Sequence, residues 1–241
     1  MFLSRIFTLY PEYFPGYLNK GLFGKALSAK IWNLETVNIR DYTFDKHRTV
    51  DDTPYGGGNG MLIKADVLAR SLDENIKEKE KIIYLSPKGK LFNHQYAKKL
   101  SNEKSINFIC GHFEGIDERI IKSRGIEEVS IGDFILSGGE IAALVIIESV
   151  TRLLPGVMGN VESSEEESFT DGLLEYPQYT RPWDFRGIKP PEILRTGDHE
   201  KIREWRRAMA LRLTIENRPD LVEARGGLTD DEKKLLARET D

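Results

Sequence analysis

The sequence predicts an α/β fold: a mostly parallel sheet with helices on both faces, followed by a small all-helical domain. Between Arg5 and Leu154, short apolar runs alternate with stretches of helical spacing, the pattern of strands joined by crossover helices. Beyond residue 170 strand-like runs give way to segments opened by helix-capping residues. Three strand-like runs, Lys81–Leu85, Ile106–Cys110 and Glu127–Ile131, each lead into a turn-forming stretch. These are Ser86-Pro87-Lys88-Gly89, Gly111-His112-Phe113-Glu114-Gly115 and Gly132-Asp133-Phe134-Ile135-Leu136-Ser137-Gly138-Gly139-Glu140. If the strands are neighbours, the turns gather at one sheet edge and enclose a small ligand, which glycines let the backbone approach closely.

In chain order, Arg5–Leu9 reads as a strand, Leu22–Ile31 as a helix and Thr36–Ile39 as a strand, followed by a loop over 41–60. Ala65–Ile76 has helical spacing, with Val67, Leu68 and Leu72 on one side. Between the three strands lie the helices Asn93–Leu100 and Asp117–Lys122, the latter capped by Asp117. The helix Glu140–Leu154 is apolar nearly all round from Ile141 to Ile147, so it is expected to bury more than one side, against a second element or another subunit. Residues 161–170 are acidic and serine-rich, a flexible linker by composition. Pro177, Pro182, Pro190 and Pro191 punctuate an extended stretch, after which Asp198, Pro219 and Asp230 are expected to open three helices. The chain thus divides into an α/β domain over 1–160, a linker over 161–170 and a helical domain over 171–241.

The chain has 241 residues, 39% of them apolar and 31% charged, enough for a real core with a well-solvated surface. The apolar run from Ile141 to Ile147 is too short to span a membrane. The first residues lack the layout of a secretory signal. With Cys110 as the single cysteine, neither an internal disulfide nor a zinc cage is available, and a cytoplasmic location is expected. A net charge of −4 argues against sequence-blind coating of nucleic acid but leaves room for local cation clusters. Lys201, Arg203, Arg206, Arg207 and Arg212 form one, as RNA phosphate ligands or as a solvated helix face. Lys46, His47 and Arg48 form a smaller one beside a glycine run, with an incidental surface loop as the plain alternative.

That run, Gly56-Gly57-Gly58-Asn59-Gly60, follows Asp51-Asp52-Thr53-Pro54-Tyr55 rather than a strand, so a dinucleotide fingerprint is a poor reading and a ligand-adaptive loop a better one. Glu114 has no capping role and is a candidate to face a cationic ligand. Arg152 suits the negative end of its helix, and the acidic run ending at Glu167 suits a solvated linker. Two other readings compete: an enzyme using a different nucleotide cofactor, and a non-catalytic RNA-binding protein. The first lacks a glycine fingerprint after the first strand; the second leaves three ligand-type loops unexplained.

At these residues the chain resembles the bacterial tRNA (guanine-N1)-methyltransferase family of the SPOUT class. The matching stretches include Val50-Asp51-Asp52-Thr53-Pro54-Tyr55-Gly56-Gly57-Gly58, Tyr84-Leu85-Ser86-Pro87, Cys110-Gly111-His112-Phe113-Glu114-Gly115-Ile116-Asp117-Glu118-Arg119, Leu136-Ser137-Gly138-Gly139-Glu140, Tyr179-Thr180-Arg181-Pro182 and Gly197-Asp198-His199. They are collinear and span essentially the whole chain. The resemblance implies a deep trefoil knot at the end of the α/β domain, a homodimer with active sites shared between subunits, S-adenosylmethionine as methyl donor and tRNA as substrate. It implies transfer to the guanosine immediately 3′ of the anticodon, and it brings in Mg²⁺, for which the sequence shows no ligand cluster. Carried over by position, the donor contacts are Tyr84, Leu85, Ser86, Pro87, Gly89, Gly111, Glu114, Gly115, Ile131, Gly132, Phe134, Leu136, Gly138 and Gly139, and the catalytic pair is Arg152 and Glu167. The family carboxylate is usually aspartate, so Glu167 is one methylene longer. Ala142 and Asn59 stand where prolines are common.

Overall fold

The computed structural model describes residues 1–58, 60–77, 79–159 and 167–238, in two compact units, Met1–Gly159 and Asn160–Asp241. In the first unit the strands β1 (Phe2–Thr8), β2 (Trp32–Asn38), β5 (Lys81–Leu91), β6 (Ser105–Cys110) and β7 (Glu127–Ser130) form one sheet in the order β2-β1-β6-β5-β7. Every pairing in it is parallel. Two short strands, β3 (Asp51–Asp52) and β4 (Leu62–Ile63), pair antiparallel at its side, within and just after the expected loop.

Alternation along the strands sorts the core into two layers, as a sheet covered on both faces requires. Ile6, Ile83, Leu85, Ile106 and Phe108 face the layer formed with α1 (Gly21–Ser28), α3 (His94–Leu100) and α5 (Glu140–Thr151). Phe7, Tyr84 and Ile109 face the opposite layer, with α2 (Ala65–Asn75) and α4 (Glu118–Arg124). Asp117 caps α4 by accepting from the Arg119 N–H at 2.8 Å, as expected. α5 is buried on most of its circumference, yet Ile141 is 58% exposed and Val145 39% exposed.

β5 departs from expectation. The turn expected at Ser86–Gly89 lies within a strand that runs on to Leu91, with a register shift between Leu85 and Lys90. Val129 of β7 is paired with both Leu85 and Lys90, and the Phe92 N–H reaches Ser130 O at 2.8 Å. Between them Gly89 lies so close to β7 that a Cβ would collide with the backbone N of Val129, which leaves glycine as the residue that fits.

The described part of the second unit holds α6 (His199–Asn217), α7 (Pro219–Ala224) and α8 (Asp230–Ala237). Leu173, Ala210 and Leu211 are the buried centre of its core, and Trp205 is buried too. Asp198 caps α6 through the Lys201 N–H at 3.2 Å, and Pro219 opens α7. Asp230 opens α8, as expected, and Thr229 caps it in a capping box with Glu232. Part of the expected linker, residues 161–166, lies outside the described residues. Its end is tied into the helical unit: the Glu175 N–H donates to Ser168 Oγ at 2.9 Å, and the Phe169 N–H to Leu173 O at 2.7 Å.

Candidate active site

Because β6, β5 and β7 are adjacent, the loops after β6 and β7 meet the stretch Tyr84–Pro87 of β5 in one place. The loops enclose a cavity of about 260 Å³. Thirteen of the fourteen residues expected to contact the methyl donor line it: Tyr84 to Pro87, Gly111, Glu114, Gly115, Ile131, Gly132, Phe134, Leu136, Gly138 and Gly139. Gly89 is the exception and packs on β7. His112, Phe113, Val129, Ser130, Ile135, Ser137 and Ala142 also line it, beyond the expected donor contacts.

The glycines are there because the loops touch. A Cβ on Gly111 would lie 2.8 Å from Cε2 and 2.9 Å from the hydroxyl of Tyr84. The Gly139 N–H donates to Gly111 O at 3.1 Å, and His112 forms a bridge with Gly138. Behind the loops, Glu140 is 3% exposed and lies within hydrogen-bond reach of two side chains. The Thr8 hydroxyl donates to Glu140 Oε1 at 2.5 Å, and His112 Nε2 stands 2.9 Å from both carboxylate oxygens. A carboxylate only accepts, so the proton sits on Nε2. The Tyr10 N–H completes the chain on Thr8 Oγ1 at 2.9 Å. The network ties the end of β1, the loop after β6 and the start of α5 into one frame.

Burial, with the negative charge of Glu128 as a smaller cause, pushes the Tyr84 phenol up to about 12. Tyr84 therefore stays neutral near pH 7 and acts as wall and donor, not as a base. Burial raises the Cys110 thiol as well, which leaves it inert. Exposed Glu114 forms the rim, its backbone N–H on Met61 O at 2.9 Å, and its side chain lies against Gly60 of the glycine run.

Arg152 does not line this cavity. It is the C-cap of α5, while the cavity touches the helix at Gly139 and Ala142. Glu167 belongs to the second unit and lines a different cavity of about 250 Å³, with Asp171, Tyr176, Arg203, Arg206 and Arg207.

Among the basic residues, Lys46 and His47 are exposed, and Arg48 is ion-paired with Asp41. On α6, Arg203 and Arg212 are exposed, and Lys201 pairs with Asp198 at 3.4 Å. The Arg206 guanidinium lies 4.9 Å from the ring centre of Tyr176, and Arg207 is held by Asp171 and Glu232. Among the described residues no group of three or more His, Cys, Asp or Glu side chains is placed to hold a metal ion.

Residues 2–224 match the family described as tRNA (Guanine-1)-methyltransferase TrmD. The chain is 61% identical over 225 residues to the tRNA (guanine-N(1)-)-methyltransferase of Pelagibacter ubique (strain HTCC1062), covering 92% of this chain and 98% of that protein. It is 54% identical over 220 residues to the protein of that name from Bartonella tribocorum (strain CIP 105476 / IBS 506), covering 91% and 94%. To that of Jannaschia sp. (strain CCS1) it is 50% identical over 224 residues, covering 90% and 91%. Both the loop-lined cavity and the helices as far as α7 fall inside the matched region, and the chain belongs to the tRNA (Guanine-1)-methyltransferase TrmD family.

Proposed function

We propose that this protein is a tRNA (guanine-N1)-methyltransferase that moves the methyl group of S-adenosylmethionine to N1 of the guanosine immediately 3′ of the anticodon. The observation that carries the reading is the meeting of the loops after β6 and β7 with the stretch Tyr84–Pro87 of β5 around one cavity, in a chain of this family. The lining suits the donor. The glycine-rich loops offer backbone donors and acceptors for an adenosine, Ile131 and Leu136 offer apolar walls, and Glu114 offers a carboxylate to the cationic end. Bound there, the donor supplies an electrophilic methyl group; the loops supply orientation.

Guanine N1 carries a proton at neutral pH and is not a nucleophile until that proton leaves. Glu167 takes it as general base. The charge that builds on O6 is stabilised by the Arg152 guanidinium. The methyl group then passes directly to N1, with no covalent intermediate on the protein. Among the described residues no group of three or more His, Cys, Asp or Glu side chains is placed to hold a metal ion, and no step is assigned to Mg²⁺.

The placement of Arg152 supports a homodimer with shared sites. The twelve residues of α5 span about 18 Å at 1.5 Å per residue, farther than an arginine side chain reaches. Arg152 of one subunit therefore serves the cavity of the other, and exposed Ile141 and Val145 support self-association through α5. The crossing of Gly89 over β7, with Val129 paired to both sides of it, supports a trefoil knot there. Lys201, Arg203 and Arg212, with Lys46 and His47, supply cations for tRNA phosphates. Such a substrate implies work in the cytoplasm, and no helix among the described residues is long and apolar enough to cross a membrane.

The test is transfer from labelled donor to two tRNA transcripts, one with guanosine and one with adenosine 3′ of the anticodon. N1-methylguanosine should form in the first alone, and Glu167→Gln should abolish it while leaving donor affinity within a few fold. Label on both transcripts, or on neither, would overturn the reading.

A further inference from the structure

By sequence Arg207 belongs to a basic run and reads as a phosphate ligand. Its surroundings say otherwise. Nη1 is bonded to Asp171 Oδ2, and Nη2 lies 2.6 Å from Glu232 Oε1. Arg225 Nη2 shares that oxygen at 2.9 Å, and the Thr229 N–H fixes Glu232 Oε2 at 2.9 Å. Two guanidiniums thus meet two carboxylates, which leaves little net charge to attract a phosphate. Arg203 and Arg212, exposed on the same helix, differ in this respect.

Asp171 is also part of a closed turn. Its Oδ1 accepts from the Leu173 N–H at 3.3 Å, the Gly172 N–H reaches Phe169 O at 3.3 Å, and the Thr170 N–H reaches Glu167 O at 3.3 Å. The turn that carries Glu167 is therefore fastened to α6 four residues downstream by the Arg207–Asp171 bond. Glu167, Asp171 and Arg207 line the same cavity.

We infer that Arg207 is a positioning residue for Glu167: through Asp171 it holds the turn bearing the proton-accepting carboxylate, and it is not a phosphate ligand. This rests on the methyltransferase reading above. Proton abstraction needs the base within hydrogen-bond reach of N1, and a displacement of about 1 Å costs on the order of a hundredfold in rate.

The experiment compares wild type with Arg207→Ala, Asp171→Asn and the double variant. Single-turnover methyl transfer is measured at saturating donor and tRNA, and tRNA affinity is measured across a salt series. Each single variant should slow transfer by about tenfold or more, with the salt slope of tRNA binding unchanged. The double variant should be no slower than the slower single, because both break one link. Transfer at the wild-type rate in both singles, or a salt slope reduced by about one contact in Arg207→Ala, overturns the inference. If Arg207→Ala fails to fold, Asp171→Asn decides alone, since it leaves the Arg207–Glu232–Arg225 bonds in place: slowed transfer upholds the inference and the wild-type rate overturns it. A wild-type protein that transfers no methyl group to tRNA would overturn the methyltransferase reading itself; active wild type with equally active variants overturns only the role of Arg207.

Discussion

Gly139 and Arg152 cap opposite ends of α5, so the helix that touches the loop-lined cavity at its N-terminus carries the arginine at its C-terminus. On the proposed reading one chain does not bring both to the same methyl group. Mixing two inactive variants should therefore restore activity. Leu136→Arg fills the cavity, Arg152→Ala removes the guanidinium, and a mixed dimer of the two retains one intact site. Exchanged subunits at equal amounts should recover about a quarter of wild-type turnover, because half the dimers are mixed and each has one working site of two. Arg152→Ala alone should lose a hundredfold or more, as lost oxyanion contacts do. Mixtures as inactive as the parents would place the site within one chain.

Glu140 supports the cavity from behind by accepting from Thr8 and His112. Glu140→Ala leaves the buried Thr8 hydroxyl and the half-buried His112 N–H unmatched and should cost about 2–4 kcal/mol in urea unfolding, at about 1–3 kcal/mol per orphaned group. The His112 loop should loosen with it, so donor affinity measured by calorimetry should fall by about tenfold. Unaltered affinity would reduce Glu140 to a purely structural part.

Gly89→Ala places a methyl group inside the backbone of β7. The expected cost is about 3 kcal/mol or more, at the upper end of overpacking, with donor binding lost as β5 and β7 separate. A variant as stable as wild type, by denaturant midpoint, would contradict the tight crossing.

The Glu232 carboxyl is subject to burial, which raises it, but the Thr229 N–H and the Arg225 and Arg207 guanidiniums outweigh burial and hold it at about 2. Its ordinary value is 4.5, so the folded form is favoured above pH 4.5 and that advantage is lost as pH falls from there through about 2. The melting midpoint of the helical unit should drop by several degrees across this window. In Glu232→Gln it should start lower at neutral pH and change less. Parallel pH profiles, followed by circular dichroism, would contradict the assignment.

Most strands and helices were legible because their apolar spacing is local, and the loops after β6 and β7 were legible because turn residues follow those strands. What was missed depends on contacts distant in sequence. β2 begins at Trp32 rather than Thr36 because it is an edge strand, with Glu35 and Thr36 exposed, so its alternation is weak. The continuation of β5 past Pro87 depends on β7, some forty residues away, and the local turn signal conceals it. His112 and Glu140 became a pair only once the Gly138 turn lay against His112. Arg207 looked like its exposed neighbours because spacing along a helix does not reveal that Asp171 and Glu232 approach it.

Calorimetric titration of S-adenosylmethionine into wild type and into Leu136→Arg tests most directly whether the cavity at the ends of β6, β5 and β7 holds the donor. Wild type should bind one donor per chain, and Leu136→Arg should show no binding while keeping the wild-type melting curve. Equal affinity in the two proteins, or no heat from wild type, would contradict the account.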